Sequence, residues 1–343
     1  MSQQQQQPPG AHAGPNPERI FQTLSGYQQT AALKAAIDLD VFTAVGEGAD
    51  TPQSIAGRVG AAERGVRILC DYLSVIGFLE KHEGRYQLTP DAALFLVRTS
   101  PAYLGGVAGF LARGTLVEAY QHFTESVRKG GTALPEQGSM TPDHPMWEDF
   151  ARSMAAMMAP AAGVIAGIAG ADRPLKVLDI AAGHGVFGIN IARHNSQAEV
   201  YAVDWKNVLA IAQENAGRAG VAERFHQISG SAFEVDLGTG YDIALLTNFL
   251  HHFDPPTNER LLGRVRDALK DGGRAITLEF VPNEDRVSPP GPATFALVML
   301  GSTEAGDAYT FPEFERMFRN AGFARSERHP ASPPPETIIV SYK

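Results

Sequence analysis

The chain has 343 residues, 44% of them hydrophobic and 20% charged, with a formal net charge of -9 at neutral pH. Such a length can bury substantial cores and implies two domains, while the acidic balance disfavours nucleic acid as a partner. A single cysteine, Cys70, excludes an intramolecular disulfide and points to a reducing compartment. No apolar run reaches the roughly 18 residues of a membrane span, and no basic-then-apolar leader opens the chain, so the expectation is a cytoplasmic protein that uses no membrane.

Residues 1–16, with Gln3 to Gln7 followed by Pro8, Pro9 and Gly10, have little to bury and are expected to form a disordered tail. From Pro17 to about Asp40 the spacing of Ile20, Phe21, Leu24, Tyr27 and Ala31 predicts a helix with little charge to mark a solvated face. A helix this apolar is expected to pack against a second copy of the chain, giving a homodimer. Thr51 and Pro52 form a helix start, and the helix they open ends near Gly60. A longer helix follows, with Val66, Leu69, Leu73 and Ile76 on one face and Gly77 as its stop. Phe78 to Leu88 then reads as two short strands around Gly84. Helix, helix and hairpin make a winged helix over residues 17–100. Its second helix offers only Arg64 and Arg67 to a nucleic acid, too little in an acidic protein.

Residues 101–172 read as a mostly helical linker, with Gly-Gly pairs at 105–106 and 130–131. Trp147, Phe150, Met154, Met157 and Met158 form an aromatic and thioether stripe within it. Core packing explains any single member, but a stripe placed directly before a cofactor domain can instead line a pocket for a flat apolar substrate. Both readings stand for Phe150, Met154 and Met157.

Residues 173–343 alternate strand and helix patterns, which implies a parallel sheet covered on both faces. The organising stretch runs from Lys176 to Gly188, where an apolar strand empties into a glycine turn that opens a helix. Gly183 and Gly185 let a ligand approach the backbone, and the helix N-terminus presents free N–H groups. The strands continue at Glu199–Asp204, Phe225–Ser229, Tyr241–Thr247 and Arg274–Phe280. Thr310-Phe311-Pro312-Glu313 is a capping box. The last two strands, Arg325–His329 and Thr337–Tyr342, lie too close in sequence for a helical crossover and must pair antiparallel.

Two cofactors compete for the glycine turn. Gly183, Gly185 and Gly188 satisfy the dinucleotide spacing G-x-G-x-x-G, and Asp204 at the end of the second strand can hold a ribose in either case. Asp179 tilts the choice, because a carboxylate just before the glycines repels a pyrophosphate but suits a ligand with an ammonium group. S-adenosylmethionine carries one beside its sulfonium. The segment Asp179-Ile-Ala-Ala-Gly-His-Gly resembles the first motif of class I methyltransferases, with Ala181 in place of the first glycine. Leu250-His251-His252-Phe253-Asp254 resembles the Leu-His-Asp/Asn-Trp-x-Asp motif of the small-molecule O-methyltransferases related to the caffeic acid, chalcone and acetylserotonin enzymes.

This resemblance spans nearly the whole chain. It implies a Rossmann-like α/β methyltransferase domain, a mostly parallel seven-stranded sheet ending in an antiparallel hairpin, preceded by a mostly helical winged-helix dimerisation domain. It implies S-adenosylmethionine as cofactor, S-adenosylhomocysteine as product, His251 as general base and Glu279 as the group that orients it. Cofactor contacts are expected from Asp179, Gly183, Gly185, Asp204, Trp205, which flanks the adenine or packs in the core, and Asn248. Gly230-Ser231-Ala232-Phe233 stands where the family has Gly-Asp-x-Phe, so the hydroxyl of Ser231 replaces an acid. The substrate pocket is expected to add His252, Phe295, Met299 and Tyr309 to the linker stripe. Ala308 stands where plant members carry a second glutamate, leaving Asp307 or Glu304 to take its place. Methyl transfer to carbon or nitrogen, and a protein that binds the cofactor without methylating, remain alternatives. A metal site is not expected, since adjacent His251 and His252 point apart and no histidine follows Glu279 until His329.

Overall fold

The computed structural model describes residues 15–134, 146–331 and 335–343, so most of the expected tail lies outside the described residues. The chain divides into two compact units, Met1–Gly105 and Gly106–Lys343. In the first, six helices and a hairpin follow in order: α1 (Glu18–Leu24), α2 (Tyr27–Asp38), α3 (Val41–Gly46), α4 (Pro52–Val59), α5 (Glu63–Val75), β1 (Leu79–His82), β2 (Arg85–Leu88) and α6 (Pro90–Phe95). Thr51 caps α4 through a reciprocal capping box with Ser54, and Gly60 closes it at φ +67°, as the residue types require. Val41, Phe42, Ile55, Cys70, Leu73 and Tyr86 fill the core of this unit. The single helix expected over 17–40 is two, because the Ser25 hydroxyl returns to the Phe21 carbonyl at 2.7 Å and Gly26 follows it. Helix α1 buries none of its residues. Ile20, Phe21, Leu24 and Tyr27 are 61%, 66%, 69% and 71% exposed.

The second unit opens with α7 (Ala108–Leu111), α8 (Gly114–Gln121), α9 (Phe123–Lys129), α10 (Met146–Ser153) and α11 (Ala155–Ala169). Strand and helix then alternate: β3 (Leu175–Ile180), α12 (Val186–His194), β4 (Ala198–Asp204), α13 (Lys206–Arg218), β5 (Phe225–Ser229), β6 (Tyr241–Thr247), α14 (Pro255–Ala268), β7 (Leu269–Glu279), α15 (Pro290–Ser302), α16 (Phe311–Asn320), β8 (Arg325–Pro330) and β9 (Thr337–Tyr342). The sheet order is β5-β4-β3-β6-β7-β9-β8. The pairs among β3 to β7 are parallel, while β9 runs antiparallel to both β7 and β8. Strand β7 starts five residues earlier than the pattern predicts, and its pairing with β6 is irregular between Tyr241 and Ile243.

Alternation along the strands sends side chains to two cores. Val177, Ile243, Leu245, Ile276, Leu278, Ile338 and Val340 join Met154, Met158 and Ile165 on the face covered by α11. Leu178, Ile180, Leu246, Ala275 and Ile339 join Leu261, Phe314, Met317 and Phe318 on the face covered by α14 and α16. No single helix among the described residues is long and apolar enough to cross a membrane; α10 and α11 pass such a test only as a pair bent by 66°.

Candidate active site

The site assembles where the carboxyl ends of β3, β4, β6 and β7 meet, the position open α/β sheets reserve for ligands. At the end of β3 the chain turns through Ala181, Gly183 and Gly185 with φ of +52°, +56° and +73°. Glycine suits such angles; Ala181 holds one against its own Cβ. Asp179 is fully buried under the first turn of α12, and its Oδ2 accepts from the Gly188 N–H at 3.2 Å. A Cβ at position 188 would sit 2.8 Å from that oxygen, so only glycine lets the helix start so near the carboxylate. Oδ1 of Asp179 is buried without a partner. Burial, opposed by the Gly188 hydrogen bond, raises this carboxyl to about 7.

Asp204 ends β4. Its Oδ2 accepts from the Gly183 N–H at 2.8 Å and its Oδ1 from the Trp205 N–H at 2.7 Å, and burial raises it to about 6. The carboxylate thus ties the glycine turn to the second strand and keeps further lone pairs for ribose hydroxyls. Trp205 is half-buried and packs with Trp147, Ala151, Val208 and Ile211. Gly230 (φ +133°) donates to the Asp204 carbonyl at 2.9 Å. The Ser231 hydroxyl accepts from the Phe233 N–H at 3.2 Å, so it shapes the turn. Ala232 is buried, and Phe233 packs edge-on against Phe253 at 5.0 Å. An adenosyl donor with an α-ammonium fits these residues, because the orphaned oxygen of Asp179 can accept from an ammonium.

Strand β6 ends at Thr247, and Asn248 turns the chain at φ +53° into a short helical turn, Leu250–His252. Glu279, the last residue of β7, is fully buried and holds that turn: Oε1 accepts from the N–H groups of Phe249 at 3.1 Å, Leu250 at 2.8 Å and His251 at 3.4 Å. Oε2 lies 2.5 Å from Nδ1 of His251. Oε1 takes the three backbone donors, and Oε2 is left to the imidazole; with Nδ1 donating to Oε2, Nε2 keeps its lone pair. One carboxylate thus holds both the loop and its histidine. From below, the Asp307 N–H donates to the His251 carbonyl at 3.0 Å. Gly306 touches the same carbonyl so closely that a Cβ would lie 2.2 Å from it.

Aromatic rings surround the pair. Phe295 of α15 meets His251 edge-on at 4.8 Å and stacks on Phe280 at 3.9 Å. His252 lies 4.3 Å from His251 and 5.5 Å from Trp147, ring to ring. Its Nδ1 is buried without a partner, and burial with the neighbouring imidazole pushes its pKa well below the ordinary range. Met154 and Met299 are buried, and Phe150 stacks on His184 at 5.7 Å and reaches Gly183.

Not every expected residue joins this cluster. Met157 is 38% exposed, and the next residue, Met158, takes the inward position, its sulfur accepting from Nδ2 of Asn248 at 3.5 Å. Tyr309 is buried in the core on the α16 face, where its hydroxyl donates to the Phe253 carbonyl at 2.6 Å and its ring meets Phe314. Neither expected substitute for the second glutamate reaches His251. Asp307 accepts from Arg286 at 3.2 Å and from the Ala308 N–H at 2.8 Å, and Glu304 is exposed.

Sequence reasoning missed His184 and Glu336. His184 is buried, its Nδ1 accepts from the Val186 N–H at 3.2 Å, and its Nε2 is unpartnered; burial lowers it to about 4. A histidine between two turn glycines was the available signal. Glu336 precedes β9 with no motif around it. Among the described residues no three His, Cys, Asp or Glu gather as metal ligands.

Residues 157–324 match the O-methyltransferase domain family, and residues 21–98 match the O-methyltransferase dimerisation domain family. The chain is 30% identical to a 3-hydroxy-5-methyl-1-naphthoate 3-O-methyltransferase of Streptomyces sahachiroi, over 97% of this chain and 99% of that one. It is 27% identical to TcmO, a tetracenomycin polyketide synthesis 8-O-methyl transferase of Streptomyces glaucescens, over 95% and 97%. The crystal structure of a candidate O-methyltransferase from Nostoc punctiforme superposes with a TM-score of 0.94 at 49% identity, covering 96% of this chain and 100% of that one. PigF, solved with SAH, superposes with a TM-score of 0.83 at 26% identity over 96% and 100%. The chain belongs to the S-adenosylmethionine-dependent O-methyltransferases that carry an N-terminal dimerisation domain.

Proposed function

We propose that this enzyme methylates a hydroxyl of a small aromatic or polyketide-like metabolite, with His251 as general base and Glu279 holding it. The observation that carries the proposal is the buried contact between His251 Nδ1 and Glu279 Oε2 at 2.5 Å, which leaves Nε2 free to take a proton. The cofactor supplies an electrophilic methyl group on a sulfonium. With the cofactor bound, His251 would take the proton of the acceptor hydroxyl at Nε2 as the oxygen–methyl bond forms and the methyl–sulfur bond breaks to leave S-adenosylhomocysteine, and Glu279 would stabilise the resulting imidazolium. A positioned base of this kind contributes about 10²–10⁴-fold in rate.

Asp179 and Asp204 hold the cofactor's ammonium and ribose, the backbone at Gly183, Gly185 and Gly230 to Phe233 cradles it, and Trp205 flanks its adenine. Phe150, Met154, Phe295 and Met299 supply an apolar wall, which favours charge dispersal in transfer from a sulfonium. The named acceptors of the two Streptomyces relatives, a hydroxynaphthoate and a tetracenomycin polyketide, support a flat hydroxylated substrate. The exposed apolar face of α1 and the dimerisation-domain match support a homodimer through the first unit. A reducing cytoplasm suits the buried thiol of Cys70, which burial pushes up to about 12.

The test is methyl transfer to a panel of hydroxylated naphthalenes and phenols, read by product mass, with His251→Ala and His252→Ala in parallel. We expect loss of about 10²–10⁴-fold in His251→Ala at nearly unchanged S-adenosylhomocysteine affinity. Loss confined to His252→Ala would move the base by one residue and overturn the assignment.

A further inference from the structure

Glu336 has no role in the chemistry above. It lies one residue before Thr337, whose pairing with Glu279 closes the β7–β9 ladder, so the antiparallel hairpin carries it to the end of the sheet where His251 sits. The Asn248 side chain is within hydrogen-bonding reach of its carboxyl, and Asn248 also contacts Met158 of α11. Pro335, beside it, packs so closely on the first turn of α15 that a Cβ at Gly291 would lie 2.9 Å from the proline ring. The same helix brings Phe295 onto His251. Through Asn248 and Pro335 the segment carrying Glu336 is thus tied to the end of β6, to α11 and to α15. Its Oε1 is buried with no partner.

Orphaned buried acceptors cost free energy and call for a donor. The adjoining Asn248 oxygen, Oδ1, is orphaned too. Taking the methyl transfer reading as its basis, we infer that Glu336, with Asn248, forms a polar subsite that receives a second hydrogen-bond donor of the acceptor molecule, a hydroxyl or amino group adjacent to the hydroxyl that is methylated. The subsite names a substrate class. It selects vicinal diols and aminophenols of fused or single aromatic rings, and it rejects an acceptor with a carboxylate at that adjacent position. Burial raises the Glu336 carboxyl to about 7, with Glu279 raising it further and Asn248 and His251 holding it down, so at mildly alkaline pH it presents a carboxylate acceptor.

Calorimetry on the full-length protein saturated with S-adenosylhomocysteine, at about pH 8, tests this with three ligands that differ only next to the hydroxyl: naphthalene-2,3-diol, 2-naphthol and 3-hydroxy-2-naphthoate. The expected result is about tenfold or greater preference for the diol over the naphthol, with the naphthoate weakest, as a hydrogen bond to a charged group gives. Glu336→Leu should erase the diol preference and improve naphthoate binding, while Glu336→Gln keeps an acceptor and part of the preference. A purely structural role for Glu336 would change S-adenosylhomocysteine affinity or melting temperature and leave the diol-to-naphthol ratio intact. If Glu336→Leu fails to fold, the native ratio and Glu336→Gln decide. Equal affinities for the three ligands, or binding of none, overturns the inference. Failure of the native protein to bind S-adenosylhomocysteine at all would instead sink the methyl transfer reading on which it rests.

Discussion

Helix α1 holds Ile20, Phe21 and Leu24 61–69% exposed, while the cleft at the carboxyl ends of β3 and β6 buries polar atoms of Asp179, His184, Asn248 and His252 without partners. The first region leaves apolar surface in water and the second leaves hydrogen-bonding groups out of it. Each deficit specifies what relieves it. Apolar burial is non-directional, so the α1 face asks only for another apolar surface of matching size, which the proposed second copy of the chain would provide. Orphaned donors and acceptors are directional, so the cleft asks for a small molecule with polar atoms at set positions. Substitutions in the two regions should therefore separate association from chemistry.

The largest expected effect lies in the cleft. Glu279→Gln keeps the size of the side chain and an oxygen for the backbone N–H groups of Phe249 and Leu250. Its amide N–H then faces Nδ1 of His251, which inverts the tautomer and leaves the proton on Nε2. Methyl transfer should fall about 10³–10⁴-fold, comparable to other wrong-tautomer histidines, with dimerisation and S-adenosylhomocysteine affinity nearly unchanged. A loss under tenfold would show that Glu279 does not set the tautomer.

Replacing Phe21 and Leu24 together with Asp tests the other side. Neither side chain is buried, so the first unit should keep its fold while the dimer weakens about 100-fold or more. Sedimentation at micromolar concentration should show a monomer with native circular dichroism. A persistent dimer would mean that α1 is not its interface.

Most of this organisation is legible in the sequence because it rests on local rules. Thr51 with Ser54 and Thr310 with Glu313 cap the helices that their residue types announce, and the short gap between β8 and β9 forces antiparallel pairing. His251 and Glu279 are 28 residues apart in sequence and still foreseeable from the family resemblance, and the fold joins them because Glu279 ends β7 while His251 lies in the turn just beyond the neighbouring parallel strand β6. Glu336 escapes because its place follows from the register Glu279 to Thr337, which no local pattern fixes. Met157 and Met158 are resolved only by the face α11 turns to the sheet. Tyr309 looks like pocket lining until the core on the α16 face claims it. The break at Ser25 and Gly26 depends on one side-chain hydrogen bond that competes with the helix.

Protonation offers a subtler probe of the cleft. Asp179 sits near 7 and Asp204 near 6 in the free protein because burial disfavours their charged forms. The proposed ammonium beside Asp179 and ribose hydroxyls on Asp204 would favour those charged forms, so the complex should hold fewer protons than the free protein. Binding therefore releases protons, and affinity must rise with pH until both carboxyls are ionised. S-adenosylhomocysteine should bind about tenfold more tightly at about pH 7.5 than at about pH 5.5, with the rise reduced in Asp179→Asn. Dimer dissociation in the same range should not follow this curve, because the exposed α1 face carries no such buried carboxyl. A flat affinity profile would contradict the ammonium contact.

The smallest effect concerns Ala181. Its φ of +52° lies in the left-handed region, where a Cβ crowds the following carbonyl at a cost of about 1–2 kcal/mol. Glycine removes that crowding but gains conformational freedom in the unfolded chain, worth about 0.4–1 kcal/mol in the opposite direction. Ala181→Gly should therefore stabilise the second unit by about 0.5–1 kcal/mol, a rise of about 2 °C in melting temperature for a chain this long. S-adenosylhomocysteine affinity should stay within about twofold, since Gly183 and Gly185 already provide the close approach. The first unit, which contains no part of this turn, should melt as before. A loss of stability would mean that the Ala181 methyl, packed beside the α16-face core, contributes more by contact than it loses by strain.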